Sequence, residues 1–420
     1  MRRQKNRFTF IILLALFITS GCVRPDRNPS PFEQLEEENG QKRSNPAVPA
    51  DGPDFHIIPD SELVFGPGTV DFSLKEAVPE SASLYIYTEE VEKEMLTGVQ
   101  ILERISRGYS VNPRLLLALL EYRSGWIRGS GAGELPIYAG SPHLSGLFRQ
   151  LSWAANEINR GFYTRRAGGL RRITLTDGTR IDISLDANDA SAALQYLFAL
   201  MMDYPEWQVA VGPLGLFADY LALFGSPQER AVELFMPEDL AQPKLRLPFD
   251  EEEGWFFTSG PHSAWGSGAA WGALDFAPDD EEFGCYDSDA WVLAAADGLV
   301  SHTADGVVLQ DLDGDGQEGT GWTILYMHIA ERERVQEGIY LKAGGRIGHP
   351  SCEGGPATGT HLHLARRFNG EWIPADRDLP FILSGWTSSG DGLEYDGILE
   401  KDMTEINASA FPTDENKISP

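Results

Sequence analysis

Cysteine and positive charge are both scarce in this sequence. It has 3 cysteines in 420 residues, too few for a disulfide-built scaffold or a cysteine-rich zinc module. It has 34 lysines and arginines against 63 aspartates and glutamates, which gives a net charge of -29. A nucleic-acid partner is therefore not expected, because phosphate contacts require clustered basic side chains. The length exceeds that of one ordinary core, so two or three domains are expected.

Long apolar runs are also lacking, apart from a short one near the N-terminus. Basic residues precede the mostly apolar stretch Phe8–Ile18, which is shorter than a membrane-spanning helix. Small residues then lead to Cys22, so residues 1–21 are predicted to be a signal peptide. Cys22 resembles the lipid-modified cysteine of a bacterial lipobox, with an ordinary secretory signal or an uncleaved anchor as alternatives. Each interpretation places the rest of the chain outside the cytoplasm, and lipidation would attach it to a membrane of the cell envelope.

The rest of the first half is predicted to be a tether followed by helices. Residues 22–60 are rich in proline and polar side chains, which predicts a disordered tether. Residues 61–240 are predicted to form a helical accessory domain, because apolar residues recur there at helical spacing. The candidate helices are Val91–Tyr109, Pro113–Trp126, Leu147–Phe162, Ala190–Tyr204 and Pro213–Phe224.

One of these helices resembles a catalytic helix of another family. Residues 111–126 are similar to the helix of lysozyme-like lytic transglycosylases that carries the catalytic glutamate just before a serine. Here Arg123 precedes Ser124, and Glu121 would point about 200° away around the helix axis. We therefore interpret the region as a degenerate lysozyme-like domain or as a helix that only builds core. A glycosidase acting through Glu121 is a weaker hypothesis.

Residues 243–400 carry the chemistry. Short apolar runs broken by glycine, aspartate and proline predict an all-β antiparallel fold. In a strand, His361 and His363 would point to the same face, and imidazole suits both zinc binding and proton transfer. A glycine-rich loop precedes them, and His328 ends another predicted strand. Gly-Pro-His262 and Asp275 add a further imidazole and a carboxylate.

This order of residues resembles the lysostaphin and LytM type of zinc peptidoglycan endopeptidase over roughly 250–375. Most members have His-x-x-x-Asp as the first metal motif, whereas Trp271 stands four residues before Asp275 here. The Gly-Pro-His262 motif matches the staphylolysin, or β-lytic, branch instead. The resemblance implies a small antiparallel β domain of the duplicated-hybrid-motif kind, with one Zn²⁺ bound by His262, Asp275 and His363.

The same resemblance assigns the remaining roles. His361 would be the general base, and His328 would stabilise the oxyanion or orient the water. Family members also use a tyrosine beyond the His-x-His strand. Tyr395 would be its counterpart here, and the alternative is that Tyr395 is only a packed surface aromatic. The expected substrate is a peptide of peptidoglycan. The alternative function is a catalytically silent wall-binding or regulatory lipoprotein that keeps the fold.

Two further groups of residues concern structure and metal binding. In an exported chain, Cys285 and Cys352 are expected to form a disulfide, with zinc ligation by the thiols as the alternative. Asp311, Asp313 and Asp315 place carboxylates at alternating positions of a loop, which suggests a calcium site or a polar hairpin tip. Residues 401–420 are predicted to be a C-terminal tail. The sequence gives no indication of the oligomeric state.

Overall fold

The structure, a computed structural model, describes residues 50–129, 144–232, 235–250, 252–280 and 282–418. The predicted signal peptide, Cys22 and most of the predicted tether lie outside these residues. None of the described helices is both long enough and apolar enough to cross a membrane.

The helices lie in the first half of the chain. Helix α3 begins at a capping box in which Thr97 and Gln100 exchange side-chain and backbone hydrogen bonds. Helix α4 begins at Asn112, whose side chain accepts from the Arg114 amide, and ends at the left-handed Gly125. The helices are α1 (Leu74–Ala77), α2 (Ser83–Ile86), α3 (Gly98–Tyr109), α4 (Pro113–Ser124), α5 (Leu147–Arg166), α6 (Asp189–Ala199), α7 (Tyr204–Ala210) and α8 (Leu216–Phe224).

Strands fill the second half, and a few short ones lie among the helices. The early strands are β1 (Ala50–Asp51), β2 (Thr88–Val91), β3 (Glu94–Thr97), β4 (Arg172–Thr174) and β5 (Arg180–Asp182). The later ones are β6 (Trp255–His262), β7 (Ala273–Pro278), β8 (Val292–Leu293), β9 (Gly298–Ala304), β10 (Val307–Asp311), β11 (Trp322–Met327), β12 (Tyr340–Leu341), β13 (Arg346–Gly348), β14 (Leu362–Phe368), β15 (Glu371–Trp372), β16 (Ile382–Leu383), β17 (Trp386–Ser389), β18 (Ile398–Lys401), β19 (Thr404–Asn407) and β20 (Lys417–Ile418).

The main sheet has nine strands. Eight follow the order β12-β9-β10-β11-β14-β7-β6-β20, and β15 pairs with β14. All pairs in this sheet are antiparallel. A separate four-stranded sheet has the order β16-β17-β18-β19. The predicted fold class, a mainly helical N-terminal part and an antiparallel all-β C-terminal part, is confirmed.

The helices pack directly on one face of the main sheet. Val308 and Ile324 belong to a core between the main sheet and the other C-terminal segments. Their neighbours Val307, Leu309 and Leu325 point to the opposite face and join the core of the helical region. Both faces are therefore buried, so these strands are apolar on both sides instead of alternating with polar residues.

Three sequence predictions need correction. The predicted helix 91–109 is a hairpin, β2 and β3, followed by α3, because Glu92 and Lys93 both adopt positive φ and turn the chain. The predicted tether extended to residue 60, yet β1 pairs with β5, and Ile57 and Ile58 are fully buried. The predicted tail 401–420 contains β19 and β20, and β20 pairs with β6, the strand that would otherwise lie at this edge of the sheet.

Candidate metal centre and groove

Three side chains on adjacent strands converge on one point. His262 Nε2 lies 3.0 Å from His363 Nδ1, and Asp275 Oδ1 lies 3.3 Å from the first atom and 3.2 Å from the second. All three residues are buried. Asp275 on β7 stands directly opposite His363 on β14, so the strand register alone brings these two together.

His262 reaches the same point through an irregularity in β6. The pairing of β6 with β7 shifts register between Phe257 and Ser259 and again before His262. Such shifts turn side chains away from the regular alternation of a strand. The glycine at Gly260 is required here, because a Cβ would lie 2.4 Å from the carbonyl oxygen of Asp396.

Backbone carbonyls fix which nitrogen of each histidine is protonated. His262 donates Nδ1–H to the Gly260 carbonyl at 2.9 Å, and His363 donates Nε2–H to the Ala264 carbonyl at 3.1 Å. The two nitrogens that face each other therefore carry lone pairs when both rings are neutral. Two lone pairs 3.0 Å apart, with a carboxylate oxygen beside them, repel one another, and a cation bound between them would relieve that repulsion.

The donor set fits a zinc ion. Asp275 Oδ1 is buried and has no hydrogen-bond partner with acceptable geometry, so it is free to act as a ligand. Tetrahedral ligands at ~2.0–2.1 Å from zinc lie roughly 3.3 Å from one another, close to the separations observed here. The carbonyl bonds to the remote ring nitrogens are the outer contacts that orient ligating histidines.

Electrostatics at the centre also favour a bound cation. Burial would raise the pKa of Asp275, but His262 and His361 hold it well below its usual value, so the carboxylate is ionised. Burial lowers the pKa of His363 and favours the neutral ring. Burial would also lower the pKa of His262, but Asp275 outweighs it and raises that pKa.

His361 and His328 lie beside the three converging side chains. His361 Nε2 is 3.8 Å from the second oxygen of Asp275, and its Nδ1–H is donated to the Gly359 carbonyl. The His328 ring centroid is 4.4 Å from that of His361, and its Nδ1–H is donated to the Glu353 carbonyl. Burial, reinforced by the neighbouring histidines, lowers the pKa of His328 to about 3. In each ring the Nδ1–H is thus committed to a backbone carbonyl, which leaves Nε2 as the nitrogen that can accept a proton or a hydrogen bond.

Tyr395 also reaches the site. Its ring stacks on His262 with centroids 4.8 Å apart, and its backbone has a φ of 73°. Burial raises its pKa to about 12, so it stays a hydroxyl. The preceding Glu394 was missed by the sequence analysis. It accepts from the Ser263 amide beside His262, and only its position next to Tyr395 could have indicated it.

A cavity of about 780 Å³ lies over the site and has walls from both halves of the chain. Helices α3 and α5 supply one wall, which includes Arg104, Tyr109, Phe148 and Trp153. The connection between β6 and β7 is held against these helices, since Asn156 accepts from two of its backbone amides. The sequence analysis missed this helical wall, because no local pattern shows which distant segment will cover a sheet.

The predicted disulfide is present. Cys285 and Cys352 are bonded, with their Cα atoms 5.8 Å apart. Thr360, next to His361, exchanges hydrogen bonds with the backbone of Tyr286. The bridge therefore joins two segments that both border the glycine-rich loop before the His-x-His strand.

The aspartate-rich loop connects β10 and β11, as a hairpin tip would. Asp311 accepts from the amides of Asp313 and Gly316, and Asp315 accepts from the Gln317 amide. The three carboxylates lie within 4.8 Å of one another, and burial with repulsion from Asp311 raises the pKa of Asp313 to about 6. Calcium binding by this loop stays a prediction.

Glu121 serves the structure of the helical region. Its carboxylate accepts from the backbone amides of Ile127 and Arg128 and from the Arg128 guanidinium. Burial would raise its pKa, but these donors lower it. A glycosidase acid needs a raised pKa, so this geometry gives no support to the glycosidase hypothesis.

Comparison with known proteins identifies relatives of both halves. Residues 56–238 match the family model described as the LasA N-terminal domain. Protease LasA from Pseudomonas aeruginosa PAO1 is 28% identical over 300 residues, covering 65% of this chain and 67% of that protein. Protease LasA from strain UCBPP-PA14 is 27% identical over the same share of each chain.

Two solved structures are each similar to part of this chain. The M23 metalloprotease pseudoalterin from the deep sea has 22% identity and a TM-score of 0.33, covering 40% of this chain and 96% of its own. The catalytic domain of lysostaphin from Staphylococcus simulans has 23% identity and a TM-score of 0.21, covering 29% and 86%. The resemblance inferred from the sequence is confirmed, and the relatives support a peptidase.

Proposed function

We propose that this protein is a zinc-dependent endopeptidase that hydrolyses peptide bonds of peptidoglycan. The observation that carries the proposal is the convergence of His262 Nε2, Asp275 Oδ1 and His363 Nδ1 within 3.3 Å of one another. Two imidazole nitrogens and a carboxylate oxygen that point to one place form a donor set suited to a metal ion. The peptidoglycan substrate follows from the resemblance to lysostaphin-type enzymes.

The residues divide into ligands and proton carriers. His262, Asp275 and His363 would hold the ion, which supplies Lewis acidity to activate water and polarise a peptide carbonyl. His361 can accept a proton at Nε2, because its Nδ1–H is committed to the Gly359 carbonyl. It can then return that proton to the leaving amine.

His328 has a narrower role in this arrangement. Its Nδ1–H is committed to Glu353, and its low pKa keeps Nε2 unprotonated. Nε2 can therefore accept a hydrogen bond from water but has no proton to donate to an oxyanion. Of the two roles considered for His328, orienting water is the one that this geometry supports.

The proposal is tested by measuring zinc content and peptide cleavage on the same preparations. Purified protein should hold about one zinc per chain and release new amino termini from peptidoglycan. His361→Ala should abolish release and keep zinc, whereas Asp275→Asn should lose both. His56→Gln, a histidine of the helical region, serves as the control and should change neither.

The outcomes separate the two functions that the sequence allowed. Wild-type protein without zinc and without release would overturn the proposal. Zinc without release would favour the catalytically silent wall-binding protein instead. Mass spectrometry of the released fragments would identify the bond that is cut.

The proposal includes lipid attachment at Cys22 and a position at the cell envelope. Its support is the sequence before Cys22 alone. Wild-type protein should partition into detergent on phase separation, and Cys22→Ser should move it to the aqueous phase. Equal partition of the two would contradict lipidation.

A further inference from the structure

The connection between β6 and β7 packs with the helices. Its residues Ala264, Ala269 and Ala270 are buried in the hydrophobic core of the helical region. Phe257 and Phe276 of the two flanking strands belong instead to the core of the C-terminal half. The connection therefore leaves the sheet and takes its conformation from contacts with the first half of the chain.

Asn156 of α5 makes the polar contacts that hold this connection in place. Its Oδ1 accepts from the amides of Ser267 and Gly268, each at 2.9 Å, and its Nδ2 donates to the Ser267 hydroxyl at 3.2 Å. The helix and the connection touch here, because a Cβ on Gly268 would lie 2.0 Å from the carbonyl oxygen of Asn156. Two adjacent amides of the connection thus depend on one side-chain oxygen.

The same connection carries a carbonyl that orients one of the converging histidines. The Ala264 carbonyl accepts from His363 Nε2–H at 3.1 Å. The Ala264 amide donates to the Ala270 carbonyl at 2.9 Å, which closes the connection into a short loop with Ser267 and Gly268 at its tip. Because this bond ties the two ends of the loop together, a displacement of the tip is transmitted to the Ala264 peptide.

We propose that Asn156 is a positioning residue for the metal centre and that it acts through this loop on His363. The assignment rests on the proposed function, since it needs a metal ion at His262, Asp275 and His363. The Ala264 carbonyl holds the proton of His363 on Nε2, which leaves the Nδ1 lone pair for the ion. Outer contacts of this kind orient ligating histidines and add to metal affinity. The helical region therefore supports the metal centre from outside the three ligands.

The test measures the zinc dissociation constant of the full chain by competition with a chromophoric chelator. Asn156→Ala removes the acceptor of both amides and should weaken zinc binding about 10-fold, the lower end of the range for outer contacts of zinc ligands. Asn156→Asp keeps an accepting oxygen and should bind zinc as the wild type does. Asn188→Ala is the matched control, because Asn188 also makes two hydrogen bonds, to Ile58 and Asp60, but both lie within the helical region. Its zinc affinity should be unchanged.

A further variant tests the same contact from the side of the loop. Gly268→Ala leaves Asn156 in place and pushes the loop away from α5, so it should also weaken zinc binding. Urea denaturation of each variant checks that it is folded and measures its stability. If Asn156→Ala does not fold, Gly268→Ala decides alone, and wild-type zinc affinity in that variant overturns the positioning role.

Weaker zinc binding in Asn156→Ala and Gly268→Ala, with Asn156→Asp and Asn188→Ala at wild-type affinity, supports the proposal. Wild-type affinity in Asn156→Ala overturns it. An equal loss in Asn188→Ala also overturns it, because the effect would then follow general stability, and so does an equal loss in Asn156→Asp. Wild-type protein that binds no zinc overturns the proposed function as well, whereas a zinc-binding wild type with unaffected variants overturns only the role of Asn156.

Discussion

Glu318 joins the helical region to the main sheet, and its replacement tests how tightly the two halves are held. Glu318 is 7% exposed, and its carboxylate accepts from Arg107 Nε at 2.5 Å and from Arg367 Nη2 at 2.8 Å. Arg107 belongs to α3 and Arg367 to β14. Arg367 is itself only 1% exposed, so its charge depends on Glu318 for compensation.

Glu318→Gln should lower the free energy of unfolding by about 3 kcal/mol. Breaking a buried ion pair costs roughly 3–5 kcal/mol, because the remaining charge stays buried and unpaired. The lower end applies because the amide oxygen still accepts one hydrogen bond. The control is Asp305→Asn, which removes the Arg104 pair at 3.3 Å between more exposed side chains. That change should cost under about 1 kcal/mol.

Urea denaturation, followed by far-ultraviolet circular dichroism and by tryptophan fluorescence, measures both variants. The first probe reports mainly on the helices, and the second reports on indoles of both halves. Glu318→Gln should shift the midpoint of both curves together and leave their slopes unchanged. A cost no larger than that of Asp305→Asn would refute the reasoning, because Arg367 would then not depend on Glu318.

Two further predictions concern acid stability and the disulfide. Burial and the nearby Arg107 lower the pKa of His302 to about 4, whereas the unfolded value is about 6.5. Its contribution to stability is therefore complete above pH 6.5 and is lost as the pH falls toward 4, with a loss of about 2 kcal/mol at pH 5. His302→Asn should flatten the stability curve between pH 7 and pH 4, and parallel urea-derived curves would contradict this. Replacing Cys285 and Cys352 by serine should cost about 4 kcal/mol, because the bridge closes a loop over a sequence separation of 67 residues. An unchanged urea midpoint in the double variant would show that the bridge adds no stability.

The sequence indicated the β-strands of the second half well, for a local reason. Short apolar runs predicted antiparallel strands there, one of them ending at His328, and β11 ends one residue earlier, at Met327. Both faces of these strands are buried, so successive residues are apolar and each strand forms a continuous apolar run in the sequence. The helix predicted over 91–109 failed in its first turns, because the backbone conformations of Glu92 and Lys93 are set by the turn and not by apolar spacing.

The metal-centre residues could be predicted from the sequence because each belongs to a pattern of a few neighbouring residues. His361 and His363 share a strand face, and the resemblance supplied His262 and Asp275 from a Gly-Pro-His motif and an aspartate. The structure places all four together. The hydrogen bonds to Gly260 and Ala264 could not be predicted, because they depend on the irregular β6 backbone. The contacts of the helical wall and of Glu318 could not be predicted either. They join residues of α3 to residues of the sheet more than two hundred positions away.

The shared core between the helices and the sheet limits how the chain can be divided for experiments. A cut near residue 240 would leave Val307, Leu309 and Leu325 in contact with water on one fragment. It would also remove from the other fragment the surface against which α3 and α5 pack. Large exposed apolar patches of this kind promote association. Separate expression of the two halves would therefore yield fragments prone to aggregate, and the intact chain is the appropriate unit for measuring either binding or catalysis.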